Sequence, residues 1–404
     1  MSNPRASLAD LVLRFSLYAF AIGSFQGIAI TQSALILGLV VWGVDARLRR
    51  RSPTMVADGE VTGWRLTTPV DLAFLLWLGS GIVSTVFAVD PLASLDKLRK
   101  IFMIGTVYLF AFRLGTWART ERVVFALLLS ASVASIVGVV DYLGHPYGLD
   151  GRTRGTMGHY MTMGGLLMLA ASVSVALALF GRTGGWRRPF LWFSAAATTL
   201  CLVLTFTRSA WVGFLVAVVT LLGLKKRWLV VPLAAALVVL YLGASPGFQD
   251  RMSSIVDPGH RANVERVHMW RAGLEIFRDH PLVGVGLMDM AEVYDEYRPP
   301  DARERHGHFH NVFVQVAAAR GAVGLVAFLY LLWAMGNAIW RGLRAARSIS
   351  PTAHALGAGA YGAYLGFVVS GLFEWNFGDS EVIMVVYFLV GVGIALERIS
   401  GNAR

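Results

Sequence analysis

The sequence predicts an all-α fold: a polytopic membrane helical bundle of about twelve transmembrane helices, with one long polar loop that contains helices of its own. Three observations carry that expectation. Hydrophobic residues make up 56% of the 404-residue chain and charged residues only 15%, with a mean hydropathy of +0.59, which is too apolar for an ordinary soluble domain. The apolar runs are about 16 to 22 residues long, enough to cross ~30 Å of hydrocarbon as helices, and helices satisfy their backbone polar groups internally. A single long polar stretch, 244–311, interrupts them.

Twelve spans follow in order: roughly 11–27, 29–44, 69–88, 98–115, 122–142, 160–180, 189–206, 210–224, 228–243, 312–340, 354–376 and 380–397. The chain therefore divides into helices one to nine (1–243), the loop (244–311) and helices ten to twelve (312–404). Gly27 and Gln32 mark the weak break between the first two spans. The N-terminal run is followed by a second one without an Ala-x-Ala-like cleavage site, so the first helix is expected to insert and stay.

The formal charge of +11 would suggest nucleic-acid binding in a soluble protein. Here most of it falls on alternate loops: Arg47 and Arg49 to Arg51; Arg113, Arg119 and Arg122; Arg182, Arg187 and Arg188; Lys225, Lys226 and Arg227; and Arg341, Arg344 and Arg347. By the positive-inside rule these loops are cytoplasmic, which puts 244–311 on the far side of the membrane. In a bacterium that side is the periplasm or the exterior. Cys201, the only cysteine, falls in an apolar span, so the loop must be held by packing.

On the external side, Asp90 to Lys100 reads as a short surface helix feeding the fourth span, Gly144 to Tyr160 is Gly-rich with Arg152, Arg154 and His159, and Thr205 to Ser209 is a tight turn. Within the long loop, Ala262 to Arg278 reads as a helix with an apolar stripe of Val264, Val267, Gly273-Leu274 and Phe277; Arg266 and Trp270, four apart, share a face. Pro281, Gly284 and Gly286 end it, and a second, acidic helix is expected over Met288 to Tyr297.

The candidate chemistry collects on this side. Arg208 stands between two short spans, where an isolated arginine needs an anion or a wet cavity unless it snorkels. With Arg154, Arg266 and Arg271 it would supply several guanidinium forks, which match phosphate oxygens in bidentate geometry; singly, Arg266 and Arg271 read as the polar face of an amphipathic helix. His306, His308 and His310 alternate as zinc ligands on a strand would, but Pro299-Pro300 upstream and a membrane helix downstream argue for an irregular lead-in. A histidine there can instead take a proton from a sugar hydroxyl, or merely cap the next helix, and Asn311 could orient the ring or an acceptor. Glu374, Asp379 and Glu381 read as partners for arginine that lock the last hairpin. Nucleotide-binding motifs are absent, so ATP-driven transport has no support.

Arg266-x-x-x-Trp270, Asp279-His280-Pro281-Leu282-Val283-Gly284-Val285-Gly286, His308-Phe309-His310-Asn311, Arg320-Gly321-Ala322-Val323-Gly324-Leu325 and the upstream Thr207-Arg208-Ser209 resemble the O-antigen ligase and polymerase superfamily of bacterial envelope proteins. The resemblance is most specific over about 262–326. It implies an inverting glycosyltransferase of the C class that needs neither cofactor nor metal. Such an enzyme sits in the inner membrane with its site facing the periplasm, uses an undecaprenyl-diphosphate-linked glycan as donor and, in the ligase branch, lipid A-core as acceptor. It further implies that Arg208 and Arg266 hold the diphosphate, less specifically with Arg154, and that His310, or the adjacent His308, is the general base. The added His306 leaves open which imidazole meets the acceptor. One large external loop favours a ligase over a polymerase or a protein oligosaccharyltransferase by analogy, and the absence of paired inverted halves argues against a lipid transporter.

Overall fold

A computed structural model describes residues 8–51, 67–144 and 152–402. The side chains of Arg49, Arg50 and Arg51 and part of the Gly-rich external segment, 145–151, lie outside the described residues. The helices are α1 (Leu8–Gly23), α2 (Ile28–Arg51), α3 (Asp71–Val86), α4 (Pro91–Leu98), α5 (Gly105–Arg113), α6 (Trp117–Gly144), α7 (Tyr160–Phe180), α8 (Arg187–Leu204), α9 (Arg208–Lys225), α10 (Val230–Leu242), α11 (Pro246–Ser253), α12 (Arg261–Asp279), α13 (Ala291–Tyr297), α14 (Val312–Ala345), α15 (Pro351–Ser370) and α16 (Ser380–Asn402). Short 3₁₀ turns join α4 to α5, α9 to α10 and α14 to α15, and the described residues include no strand.

Each of the twelve apolar stretches contains a helix, but among the described residues only six helical segments are long and apolar enough to cross a membrane unaided: 28–47, 117–144, 160–180, 208–225, 312–348 and 380–402. The others are short, broken or less apolar. The fourth stretch begins as 3₁₀ turn Arg99–Ile104 before α5 forms. It follows the expected surface helix α4, whose first turn is capped by Asp90 accepting from the Ala93 N–H at 2.9 Å. α15 stops at Ser370 instead of running to 376, because Asn376 turns back to donate to the Phe367 carbonyl at 2.9 Å. Glu374 therefore lies in a hairpin between helices.

α16 and α7 run through the centre, with most of their side chains buried. α15 packs against α7 and α9 through glycines: a Cβ on Gly366 would stand 2.3 Å from the Gly213 carbonyl oxygen, and one on Gly362 2.8 Å from that of Ala217. Small residues let the backbones approach this closely, and dispersion then substitutes for the hydrophobic drive that lipid cannot supply.

α14 is broken at Gly321 (φ 60°). The strap Pro281–Gly286 repairs the break: Val285 and Gly286 N–H groups donate to the Ala318 and Ala319 carbonyls, and Ala322 and Val323 N–H groups donate to the Pro281 and Leu282 carbonyls, at 2.8 to 3.2 Å. Ser84 Oγ adds a bond to the Ala319 carbonyl at 2.7 Å. The Ala318 and Ala319 carbonyls and the Ala322 and Val323 N–H groups freed by the kink are thus met by protein, as a broken helix at membrane depth requires. Arg320 is consumed by the same device. Its guanidinium bonds the Trp77 carbonyl at 2.8 Å and Ser80 Oγ at 3.2 Å, with Cζ 3.5 Å from the Trp77 ring centroid.

The polar stretch folds as α11, α12 and α13 over a separate small core that includes Met269, Ile276, Val285, Tyr294 and Phe309. α12 matches its expected range, but its buried face is Glu265, His268, Met269, Ala272, Gly273 and Ile276. Val267 and Leu274 of the expected stripe are exposed. Sequence periodicity identified the helix and misjudged its rotation, because buried Glu265 holds the chain by accepting from the Arg303 and Glu304 N–H groups at 3.1 to 3.3 Å.

Candidate active site

The N-termini of α7, α9 and α14 and the C-terminus of α15 meet at one end of the bundle. Thr207 Oγ1 donates to the Tyr160 carbonyl at 3.3 Å, Thr162 Oγ1 to Asp379 at 2.6 Å, and the Val312 N–H to the Gly371 carbonyl at 2.8 Å. The loop helices cap this end. The basic loops gather at the other end, where Arg182 and Thr352 exchange hydrogen bonds and Lys225 meets His354 at 2.6 Å.

The lead-in to α14 is irregular, as its prolines imply. Asn311 is the N-cap: its Oδ1 accepts from the Phe313 and Val314 N–H groups at 2.9 and 3.1 Å. Phe309 is buried, its N–H donating to Gln315 Oε1 at 3.0 Å and its carbonyl accepting from Trp270 Nε1 at 3.0 Å. These contacts pin the chain on both sides of His310, which adopts φ 48°. A non-glycine residue there costs about 1–3 kcal/mol and persists only where its surroundings enforce it.

The strain aims His310 at Glu374. Its Nδ1 lies 3.2 Å from both carboxylate oxygens, and His308 Nε2 lies 3.4 Å from Oε1. His306 stands apart and pairs with Glu304 at 3.1 Å, although its ring is 5.1 Å from that of His310. The last-hairpin carboxylate expected to pair with arginine thus pairs with histidines, and the arginines are left free for something else. An ionised carboxylate can only accept, so each of these ring nitrogens carries its proton toward Glu374, which leaves His310 Nε2 with its lone pair. Burial lowers the proton affinity of His310, and the Glu374 hydrogen bond restores part of it. Burial alone would raise the Glu374 carboxyl, but the bonds from His308 and His310 hold it well below the usual carboxylate range.

Beside this pair stands a cluster of arginines. Arg208 is 6% exposed and its Nη1 bonds the Ser254 carbonyl at 2.6 Å and Ser254 Oγ at 3.0 Å. Arg251 straddles the carbonyl of Phe206, which turns toward it because Phe206 too has φ 48°. Burial, then Arg152 and Arg208, push Arg251 down to about 10, so it remains charged at neutral pH. Arg266, on the face of α12 it shares with Trp270, forms no ion pair among the described residues. Its proton affinity is lowered by burial and partly restored by Glu374. Buried guanidinium groups that repel one another around one small space form an anion receptor. Arg208, Arg266 and Trp270 line a cavity of about 190 Å³. A neighbouring cavity of about 220 Å³ is lined by Ser209, His308 and Glu374.

The other sequence candidates fall elsewhere. Arg154 is exposed, and Arg152, two residues earlier, is the residue that joins the cluster, with its Cζ 4.6 Å from the Tyr160 ring centroid. Arg271 is exposed on α12. Arg251 and Arg152 were not singled out as chemistry from the sequence, and Glu374 was read there as a partner for arginine, since a lone acid or arginine near a helix end has no signature until the fold brings its partner.

His308, His310 and Glu374 also form a set that could hold a metal ion, their ligand atoms all lying within 4.8 Å of one another. Two imidazoles and a carboxylate suit zinc with an open position. Shared hydrogen bonding explains the same geometry, since Glu374 accepts a hydrogen bond from each ring.

Among known proteins, residues 192–329 match the family model described as O-antigen ligase. No curated protein matches the chain. The matched segment carries Arg208, Arg251, Arg266, the histidine run and the strap with its broken helix, so the match supports an O-antigen ligase or polymerase type of function in general.

Proposed function

We propose that the chain is a ligase of the bacterial cytoplasmic membrane that moves a glycan from undecaprenyl diphosphate to lipid A-core on the periplasmic side. The twelve apolar helices would all contribute to the membrane domain, with the short ones sheltered by neighbours. The observation that carries this reading is the juxtaposition of an acid-held histidine with uncompensated arginines. Diphosphate is a good leaving group, so catalysis needs a hydroxyl in position, a base for its proton and stabilisation of the departing charge.

His310 Nε2 would take the hydroxyl proton while Glu374 holds Nδ1–H and balances the imidazolium that forms. The new bond joins the acceptor oxygen to the anomeric carbon, the old bond to the diphosphate oxygen breaks, and the electron pair leaves with the diphosphate. Arg208 and Arg266, with Arg152 and Arg251 behind them, meet that charge with preorganised donors. No step requires a metal or nucleotide. His308 is the second candidate base, favoured by its position on two cavities.

Purified protein mixed with lipid-linked glycan and lipid A-core should transfer glycan to the core. A ladder confined to the donor would make it a polymerase instead. His310→Ala and Arg266→Ala should each abolish transfer in protein that still folds; full activity in both would sink the assignment.

A further inference from the structure

Cavities reach His308 from two sides. On one side, a cavity lined by Ser209, His308 and Glu374 adjoins at Ser209 the cavity of Arg208 and Arg266. On the other, a cavity of about 420 Å³ reaches from His308 and Gln315 past Trp77 to Lys97 and Lys100. It shares Leu78, Ile101 and Ile104 with an open groove of about 550 Å³ lined by Phe74, Leu75 and Tyr108, ending at Asp71.

We infer that this groove between α3 and the α4–α5 segment seats the acceptor lipid: an anionic glycolipid whose acyl chain lies along Leu75, Leu78 and Ile101, whose charged head meets Lys97 and Lys100, and whose sugar hydroxyl reaches the histidines. The inference rests on the transferase reading and assigns that reading's second substrate. An in-line displacement places nucleophile and leaving group on opposite faces of the reacting carbon. With the diphosphate held by the arginines, the acceptor must approach from another side, and this cavity reaches His308 without any residue of the arginine-lined one.

Its chemistry is graded to suit such a lipid. Asp71 to Leu78 spans about 10 Å of helix, so the lower groove continues well below the lysines, and Leu75 on its wall is 65% exposed. At the mouth, Arg99 is paired with Asp96 at 3.2 Å, whereas Lys97 forms no ion pair among the described residues, and Lys100 donates to the Gly378 carbonyl at 3.2 Å with its charge partly offset by Asp379 and Glu381. Leu92 and Leu95 on α4 are 80% and 59% exposed, which suits a helix lying at the interface with lipid. Lys97 and Lys100 beside an apolar groove are complementary to a phosphorylated head on an acyl tail.

The test uses the full chain in nanodiscs with two photoreactive probes, lipid A-core bearing a diazirine on an acyl chain and undecaprenyl diphosphate bearing one on its prenyl chain. Lipid A-core should label peptides 71–78 and 101–108. The double variant Lys97→Glu/Lys100→Glu should cut that labelling about tenfold and raise the KM for acceptor without moving that for donor. Leu78→Trp should block labelling by filling the groove. Labelling of those peptides by the prenyl probe instead, by neither probe, or equal effects of the lysine variant on both substrates would overturn the inference. Groove labelling in a protein that transfers no glycan would uphold the lipid site and sink the transferase reading; transfer to lipid A-core without groove labelling would do the reverse.

Discussion

Replacing Glu374 by glutamine tests the site at its centre. The carboxylate accepts from His310 Nδ1 at 3.2 Å and from His308 Nε2 at 3.4 Å. Glutamine keeps the shape but replaces one carboxylate oxygen by an NH₂, which can only donate. Where the amide nitrogen faces His310 Nδ1, that atom must carry the lone pair, and Nε2 then carries the proton and cannot act as a base. General-base catalysis is worth about 10²–10⁴-fold, so kcat/KM should fall by about that range, or ~3–5 kcal/mol of barrier. The pH profile supplies a second readout. The base works deprotonated, so the rate rises with pH through the His310 pKa and is flat above it. Burial holds that pKa below its ordinary value and Glu374 raises it, so the wild-type acid limb lies below about pH 6.5 and the variant's limb should move further to acid. The assay is initial-rate transfer from pH 5 to 9 in nanodiscs, with thermal unfolding as the control for folding. A rate within threefold of wild type together with an unmoved acid limb would refute the reasoning.

Other expectations follow from the same geometry. Arg208→Lys should not rescue Arg208→Ala, because a point charge cannot reproduce the planar fork; both should lose about 10²–10³-fold in kcat, and a lysine variant at wild-type rate would argue that Arg208 only anchors Ser254. Chelation should leave transfer unchanged; loss of activity restored by zinc alone would assign His308, His310 and Glu374 to a metal. Gly321→Ala should lower thermal stability by at least ~2 kcal/mol, because a Cβ there would stand 2.3 Å from the Leu282 carbonyl carbon in a left-handed conformation. An unchanged unfolding temperature would mean that the strap does not hold the break.

The sequence by itself determined the helical membrane class, the alternation of basic loops, the position of α12 and the irregular lead-in to α14. All of these depend on local composition, periodicity and helix-end chemistry, which near neighbours in the chain decide. It also marked Arg208, Arg266 and His310, because arginines and histidines beside hydrocarbon are costly wherever they stand. Tertiary structure decided the rest. Glu374 is 64 residues from His310, and nothing in its own segment distinguishes a hairpin acid from a salt-bridge anchor. Asp279–Gly286 and Arg320–Leu325 carry the resemblance as motifs, yet their residues are spent on repairing a broken helix, a role visible only when the strap lies against it. The rotation of α12 likewise depends on which face the loop core and Glu265 claim, because burial is settled by partners distant in the chain, whereas helix formation is settled by those nearby.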